Sequence, residues 1–100
     1  MSERQLGDVG TEMQWEDEHV KTWDLVLVPG QSSDWHQHAR PYVFIVTRPG
    51  RLKAEYDDGT SSERDYTLGE IVQGQCGSIH RVTNVGDELY SNSIVEIKQD

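Results

Sequence analysis

The chain has 100 residues, of which 34% are hydrophobic and 27% are charged, and its formal net charge at pH 7 is -9. This length suits a single domain, because it offers too little interior for two cores. The acidic balance, with no lysine- or arginine-rich run, argues against binding to nucleic acid or to an anionic membrane.

The first 18 residues are polar and acidic, and we expect them to form an arm with a short edge strand near residues 13–15. Residues 19–100 are expected to form the folded domain, in which short apolar runs alternate with turn residues. Strands are predicted at 20–28, 42–48, 51–56, 62–66, 70–73, 80–84 and 89–98. Asp58-Gly59 is typical of a hairpin turn. Without an amphipathic helix, this pattern predicts an all-β sandwich or barrel.

Three of the four histidines lie in two segments that each begin with glycine. Side chains two residues apart on a strand share a face, so His36 and His38 can bind one ion if residues 35–38 are extended. His80 is the natural third ligand, since it lies on a separate predicted strand. We interpret these three residues as a metal site, and His19, within an acidic stretch, as a surface residue.

The two segments resemble the two metal-binding motifs of the cupins, a family of small jelly-roll barrels. The first motif is matched by Gly30, His36, His38 and Gly50. The second is matched by Gly69, Gly77, His80 and Asn84, with Gln75 in place of the usual proline. The resemblance covers nearly all of residues 20–98 and implies a single-domain cupin-type jelly roll with metal ligands in one mouth of the barrel. The chain is also similar to the minimal single-domain cupins associated with β-alanine degradation.

One position departs from the cupin motif, because the family's usual glutamate ligand is missing. Depending on the spacing, that position falls on Tyr42 or Val43, and neither is a carboxylate. Alternation along a strand from His38 favours Tyr42 as the inward residue, although Pro41 would permit a bulge.

Two residues near this position are predicted to act on the substrate. Tyr42 could donate a hydrogen bond, exchange a proton or coordinate weakly; the alternative is that its ring only packs in the barrel. Arg40 has the strand parity of the histidines and could bind a substrate carboxylate, unless it is a surface residue.

Further polar residues are weaker candidates for the pocket. Gln73 and Gln75 could orient a ligand, but they could equally satisfy the loop. Ser91 and Ser93 are possible polar lining residues on the last strand. Cys76 is expected to be structural and unable to form an internal disulfide, which is consistent with a reducing, cytoplasmic setting.

Three neutral imidazoles without a carboxylate leave the charge of a divalent transition metal uncompensated, which favours an anionic or chelating small molecule as the ligand. We therefore expect a metal-dependent enzyme, with iron(II) for dioxygenase-like chemistry, or zinc, manganese or nickel for lyase or isomerase chemistry. The alternatives are a non-catalytic module that binds metal or a small ligand, and a structural subunit. A homodimer is expected in each case, because so small a barrel leaves edge strands exposed.

Overall fold

The computed structural model describes residues 5–74 and 76–98 as an all-β sandwich. In this part of the chain there are nine strands. They are β1 (Glu12–Glu16), β2 (Val20–Leu27), β3 (His36–Gln37), β4 (Tyr42–Arg48), β5 (Gly50–Tyr56), β6 (Ser61–Tyr66), β7 (Ile71–Gly74), β8 (Ile79–Asn84) and β9 (Tyr90–Ile97). The prediction of an all-β fold is confirmed. The predicted edge strand and the seven predicted strands each begin and end within one residue of the observed strands.

The strands form two antiparallel sheets. One has the order β1-β2-β9-β4-β7 and the other the order β3-β8-β5-β6. The described residues contain no helix with the length and apolar character needed to cross a membrane.

The core lies between the sheets and is built by strand alternation. On β2, Trp23, Leu25 and Leu27 are buried, while Val26 between them is exposed. Aromatic and branched side chains suit this half-buried pleated surface, which is why such runs form strands. The acidic arm also takes part, since β1 pairs with β2 and Val9 is buried in the core.

The last strand, β9, turns towards the core the face opposite to the one that carries Ser91 and Ser93, which the sequence analysis had favoured. Its buried, inward positions are Tyr90, Asn92, Ile94 and Glu96. Ser91 and Ser93 point away from the core, where their hydroxyls bind Thr47 at 2.7 Å and Asp24 at 3.0 Å. The prediction that these two serines line the pocket is therefore wrong. The strand carries apolar residues on both faces, so alternation alone does not identify the inward one.

Candidate metal centre

The three predicted ligands come together at one end of the space between the sheets. His36 and His80 are direct cross-strand partners on β3 and β8, and His38 follows β3 by one residue. One ring nitrogen of each histidine lies within 4.8 Å of the other two, and all three side chains are buried. The strand is shorter than predicted, but the two imidazoles of the first segment still share a face.

Backbone hydrogen bonds hold the two histidine segments together. The Gly77 amide donates to the His38 carbonyl oxygen at 2.9 Å, and the Gln37 side-chain amide donates to the Gly77 carbonyl oxygen at 2.9 Å. Gly77 has a φ of 114°, in the left-handed region that other residues rarely adopt. This glycine therefore makes the turn that brings His80 opposite His36.

The asparagine of the second motif has a structural role. Asn84 is fully buried and donates from its side chain to the Leu27 carbonyl oxygen at 2.9 Å and the Glu88 carbonyl oxygen at 2.8 Å. Its own side-chain oxygen accepts from the Gly86 amide at 2.9 Å. These bonds anchor the end of β8, and so fix the position of His80 four residues earlier.

Burial keeps the histidines neutral. It lowers the pKa of His38 to about 3, with the neighbouring imidazoles adding to the effect, and the pKa of His80 to about 4. Burial also lowers the pKa of His36, although the Asp34 carbonyl oxygen and the charge of Glu96 oppose the shift. Neutral imidazole is the form that binds a metal, so the site is prepared for one at neutral pH.

Hydrogen bonding defines which nitrogens are available. Since a carbonyl oxygen can only accept, His36 Nδ1 donates to the Asp34 carbonyl oxygen at 2.8 Å, which leaves Nε2 unprotonated and free to bind. His38 Nδ1 is buried without a hydrogen-bond partner. A buried polar atom with no partner is costly, and a metal ion would supply one. The donor set therefore fits a divalent transition metal.

Tyr42 lies against this cluster. Its ring stacks on His38, with the ring centroids 3.6 Å apart and the planes 15° from parallel. A Cβ at Gly74, the cross-strand partner of Tyr42, would overlap the tyrosine ring, so only glycine leaves the ring in place. Burial raises the pKa of Tyr42 to about 12, with Tyr56 and Tyr66 contributing, so the phenol keeps its proton at neutral pH.

A buried carboxylate near the cluster was missed by the sequence analysis. Glu96 lies on β9, directly across from Tyr42 in the register, and accepts a hydrogen bond from the Trp23 indole at 2.8 Å. Its charge acts on His36 and raises that pKa against the effect of burial. The sequence did contain a signal for this residue, because only Val95 separates Glu96 from Ile94, so the two side chains share a face of the strand.

The histidines open onto a cavity of about 200 Å3 between the sheets. Its polar wall, besides the histidines, consists of Tyr42, Tyr56, Tyr66, Gln73 and Asn92. Its apolar wall includes Leu25, Phe44, Leu52, Val72, Val82 and Ile94. Among the described residues that line it there is no lysine, arginine, aspartate or glutamate. The metal centre is therefore the main polar feature of a largely apolar chamber.

Arg40 and His19 lie outside the histidine cluster. Arg40 is half-buried outside the cavity wall, and its charge acts on Glu16 of the arm. The strand is interrupted between His38 and Tyr42, so alternation does not carry through to Arg40. His19 is exposed beside Glu18, away from the cluster, as expected.

Gln73 and Gly74, at the end of β7, lie on the cavity wall, whereas Cys76 in the following turn is exposed. Gln75, the other predicted ligand-orienting residue, lies outside the described residues.

Solved structures of cupins resemble this one. A cupin domain from Bordetella pertussis Tohama I is 28% identical, with a TM-score of 0.82, and the alignment covers 98% of this chain and all of that one. An RmlC-like cupin with a double-stranded β-helix fold from Methanocaldococcus jannaschii is 16% identical, with a TM-score of 0.67 and coverage of 91% and 93%. The DMSP lyase DddQ from Ruegeria pomeroyi DSS-3 is 13% identical, with a TM-score of 0.63. This chain covers only 40% of the lyase, through 83% of its own length.

No family model matches the sequence, and no curated protein matches it. The structural neighbours establish that the chain has the cupin fold, as the two motifs implied. In this fold the three histidines form a cluster that could hold a metal ion. The association with β-alanine degradation stays a prediction.

Proposed function

We propose that this protein is a metal-dependent enzyme in which His36, His38 and His80 hold a divalent transition metal, and that a small anionic or chelating substrate binds beside them. One observation carries the proposal. Three buried, neutral imidazoles converge at the end of a mainly apolar cavity that is partly open to solvent. A surface histidine cluster would offer neither the neutral ligands nor the chamber.

The bound metal would act as a Lewis acid that polarises the substrate group beside it, and iron(II) would add the capacity for oxygen chemistry. The chain's own residues have separate tasks. The apolar wall lowers the local dielectric constant and so strengthens the electrostatic interactions within the cavity. Tyr42, whose phenol keeps its proton, can donate a hydrogen bond or a proton to a substrate oxygen.

The substrate is small. A cavity of about 200 Å3 is below the range of roughly 300–1,000 Å3 that is typical of pockets for drug-sized ligands. The described wall has no cationic side chain, so an anionic group of the substrate would have to meet the metal centre rather than the opposite wall.

A second candidate function is a non-catalytic module that binds metal or a small ligand. It is favoured by the cavity wall, in which histidines and tyrosines are the only side chains that can exchange a proton among the described residues. With the three histidines bound to a metal, only the tyrosines of the described wall would be left to exchange a proton with a substrate.

Turnover by the metal-loaded protein separates the two. The protein would be loaded with iron(II), zinc, manganese or nickel in turn and incubated with short carboxylates, with substrate followed by NMR and oxygen by an electrode. We expect metal-dependent turnover in the wild type and in His19→Ala, and none in His38→Ala. Metal and ligand binding without turnover would assign the binding module. Failure to bind any of the metals would contradict the enzyme and leave only a module that binds a small ligand.

We further propose that the protein forms a homodimer through the outer face of the five-stranded sheet. Ile45 and Ile71 are both exposed on this face and are direct cross-strand partners, so a second copy would cover a continuous apolar surface. Light scattering on dilute protein tests this, and a monomeric mass at micromolar concentration would contradict it.

A further inference from the structure

The wall that β9 contributes to the cavity holds a polar atom that the metal centre does not explain. Asn92 is 3% exposed and lines the cavity between apolar neighbours. Its side-chain nitrogen donates to the Tyr90 hydroxyl oxygen at 2.8 Å. Its side-chain oxygen, Oδ1, is buried without a hydrogen-bond partner.

Tyr90 accounts for only one of the two polar atoms of the Asn92 amide. Tyr90 is fully buried in the core and is not part of the cavity wall. Because the amide nitrogen is bound to Tyr90, the oxygen is the polar atom of this wall residue that is left for a ligand to bind. Leaving a buried acceptor without a donor destabilises the protein, so a donor from a bound molecule is expected at this atom.

A ligand group that binds this acceptor must be a hydrogen-bond donor. The residues of the cavity wall limit the charge that this group can carry. A second carboxylate would be repelled by Oδ1 and would meet no cationic side chain on the described wall. An ammonium group would be desolvated without a carboxylate on that wall to pair with. A neutral hydroxyl group avoids the penalties of both the carboxylate and the ammonium group, since it donates one hydrogen bond at little desolvation cost.

We propose that Asn92 is a specificity-determining residue whose Oδ1 accepts a hydrogen bond from the hydroxyl group of a short hydroxy acid, while the carboxylate of that acid reaches the three-histidine centre. This inference rests on the proposed function of the site, because it assigns the substrate class. The cavity volume of about 200 Å3 is below the range of roughly 300–1,000 Å3 that is typical of drug-sized ligands, which suits a short chain between the two polar ends.

A matched pair of ligands tests this with the zinc-loaded protein. In 4-hydroxybutyrate a hydroxyl replaces the terminal methyl group of valerate, so the two differ in that group alone. Calorimetric titration of the wild type should give a dissociation constant for 4-hydroxybutyrate about tenfold lower than that for valerate. In Asn92→Leu, which keeps the branched shape, the preference should disappear while valerate binds within about twofold of its wild-type affinity.

Two further variants keep the test informative. Asn92→Leu alone leaves the Tyr90 hydroxyl without its partner, so Asn92→Leu/Tyr90→Phe removes both polar groups and should also lose the preference. Asn92→Thr keeps an uncharged acceptor oxygen in a side chain that suits a strand, and should retain part of the preference. Zinc content and thermal unfolding are measured for each variant to confirm that the site is intact.

The outcomes separate this inference from the function on which it rests. Equal binding of the two acids by the wild type, or a hydroxyl preference that persists in both variants lacking the Asn92 amide, would overturn the role of Asn92 and leave the metal centre standing. Failure of the wild type to bind zinc, or to bind either acid once loaded, would overturn the proposed function and this inference together.

Discussion

The two sheets contribute different chemistry to the same cavity. The four-stranded sheet provides His36 and His80 as cross-strand partners, with His38 beside them, and so it provides the candidate metal ligands. The five-stranded sheet faces them with Tyr42 and Asn92. The three histidines are close in sequence to recognisable turns, whereas the facing residues are dispersed along strands. The candidate metal site is thus encoded locally, whereas the composition of the facing wall depends on how the second sheet packs.

The largest expected effect is on the pH dependence of stability in the metal-free protein, and it comes from the histidines. In the metal-free folded protein His38 and His80 stay neutral down to about pH 3 and pH 4, whereas histidines in the unfolded chain protonate near pH 6.5. As the pH falls below about 6.5, only the unfolded state gains these protons. The free energy of unfolding should then fall by about 1.4 kcal/mol per pH unit for each such histidine, until the pH reaches the folded-state pKa.

Chemical denaturation of the metal-free protein between pH 7 and pH 4 measures this slope. His38→Leu should show a shallower pH dependence than the wild type, and His19→Leu, which removes an exposed histidine, should show the wild-type slope. Equal slopes in all three proteins would mean that burial does not hold His38 neutral.

On the facing sheet, the strongest functional effect is expected from Tyr42→Phe. The ring still stacks on His38, but the proton that the phenol donates is lost, so kcat should fall by about a hundredfold while metal content stays unchanged. Steady-state kinetics and elemental analysis on the same preparation check both parts. Unchanged kcat would reduce Tyr42 to a packing residue.

A steric change on the same sheet should have a smaller effect, on stability. Gly74→Ala places a Cβ within the space of the Tyr42 ring, so the ring must move away from His38 and the free energy of unfolding should fall by about 1–3 kcal/mol. Gly50→Ala is the matched control, because a Cβ there comes no closer than 3.4 Å to Tyr90. Similar losses in the two variants, measured by urea unfolding, would contradict the close approach at Gly74.

An effect of similar size is expected at the buried carboxylate. Trp23→Phe removes the indole donor to Glu96 and should lower the free energy of unfolding by about 2 kcal/mol. Trp15→Phe removes a comparable indole that donates to Asp17 at the surface, and should change stability by less than about 0.5 kcal/mol. If both substitutions cost the same in thermal or urea unfolding, the Trp23–Glu96 bond does not stabilise the fold.

The histidine side of the cavity could be predicted from sequence because each step is local. Two histidines separated by one residue share a face, and a glycine turn brings His80 into register with His36. Tyr42 also lies at the cavity as predicted, although residues 39–41 between His38 and β4 are not strand, so alternation does not by itself explain its position. The inferences about the histidines hold wherever the chain is extended or turns at a glycine.

The inward-facing side chains of the five-stranded sheet could not be predicted in the same way. On β9, Val95 and Ile97 point outwards while Asn92 and Glu96 are buried, which reverses the usual polar pattern. Burial of these polar groups depends on hydrogen-bond partners, such as the Trp23 indole, that lie far away in sequence. Strand parity therefore favoured the serines of this strand instead of Asn92.

The prediction for Arg40 also relied on strand alternation. Parity was extended from His38 across a stretch that is not a strand, and the side chain lies outside the cavity wall. Alternation holds only along continuous strand, and the break before Pro41 ends it.

The central claim is that the three histidines hold one divalent metal ion, and elemental analysis by mass spectrometry of the purified, tag-free protein tests it most directly. We predict near-stoichiometric metal in the wild type and in His19→Ala, and almost none in His36→Ala/His80→Ala. No metal in the wild type after anaerobic reconstitution, or equal metal in the double variant, would contradict the account.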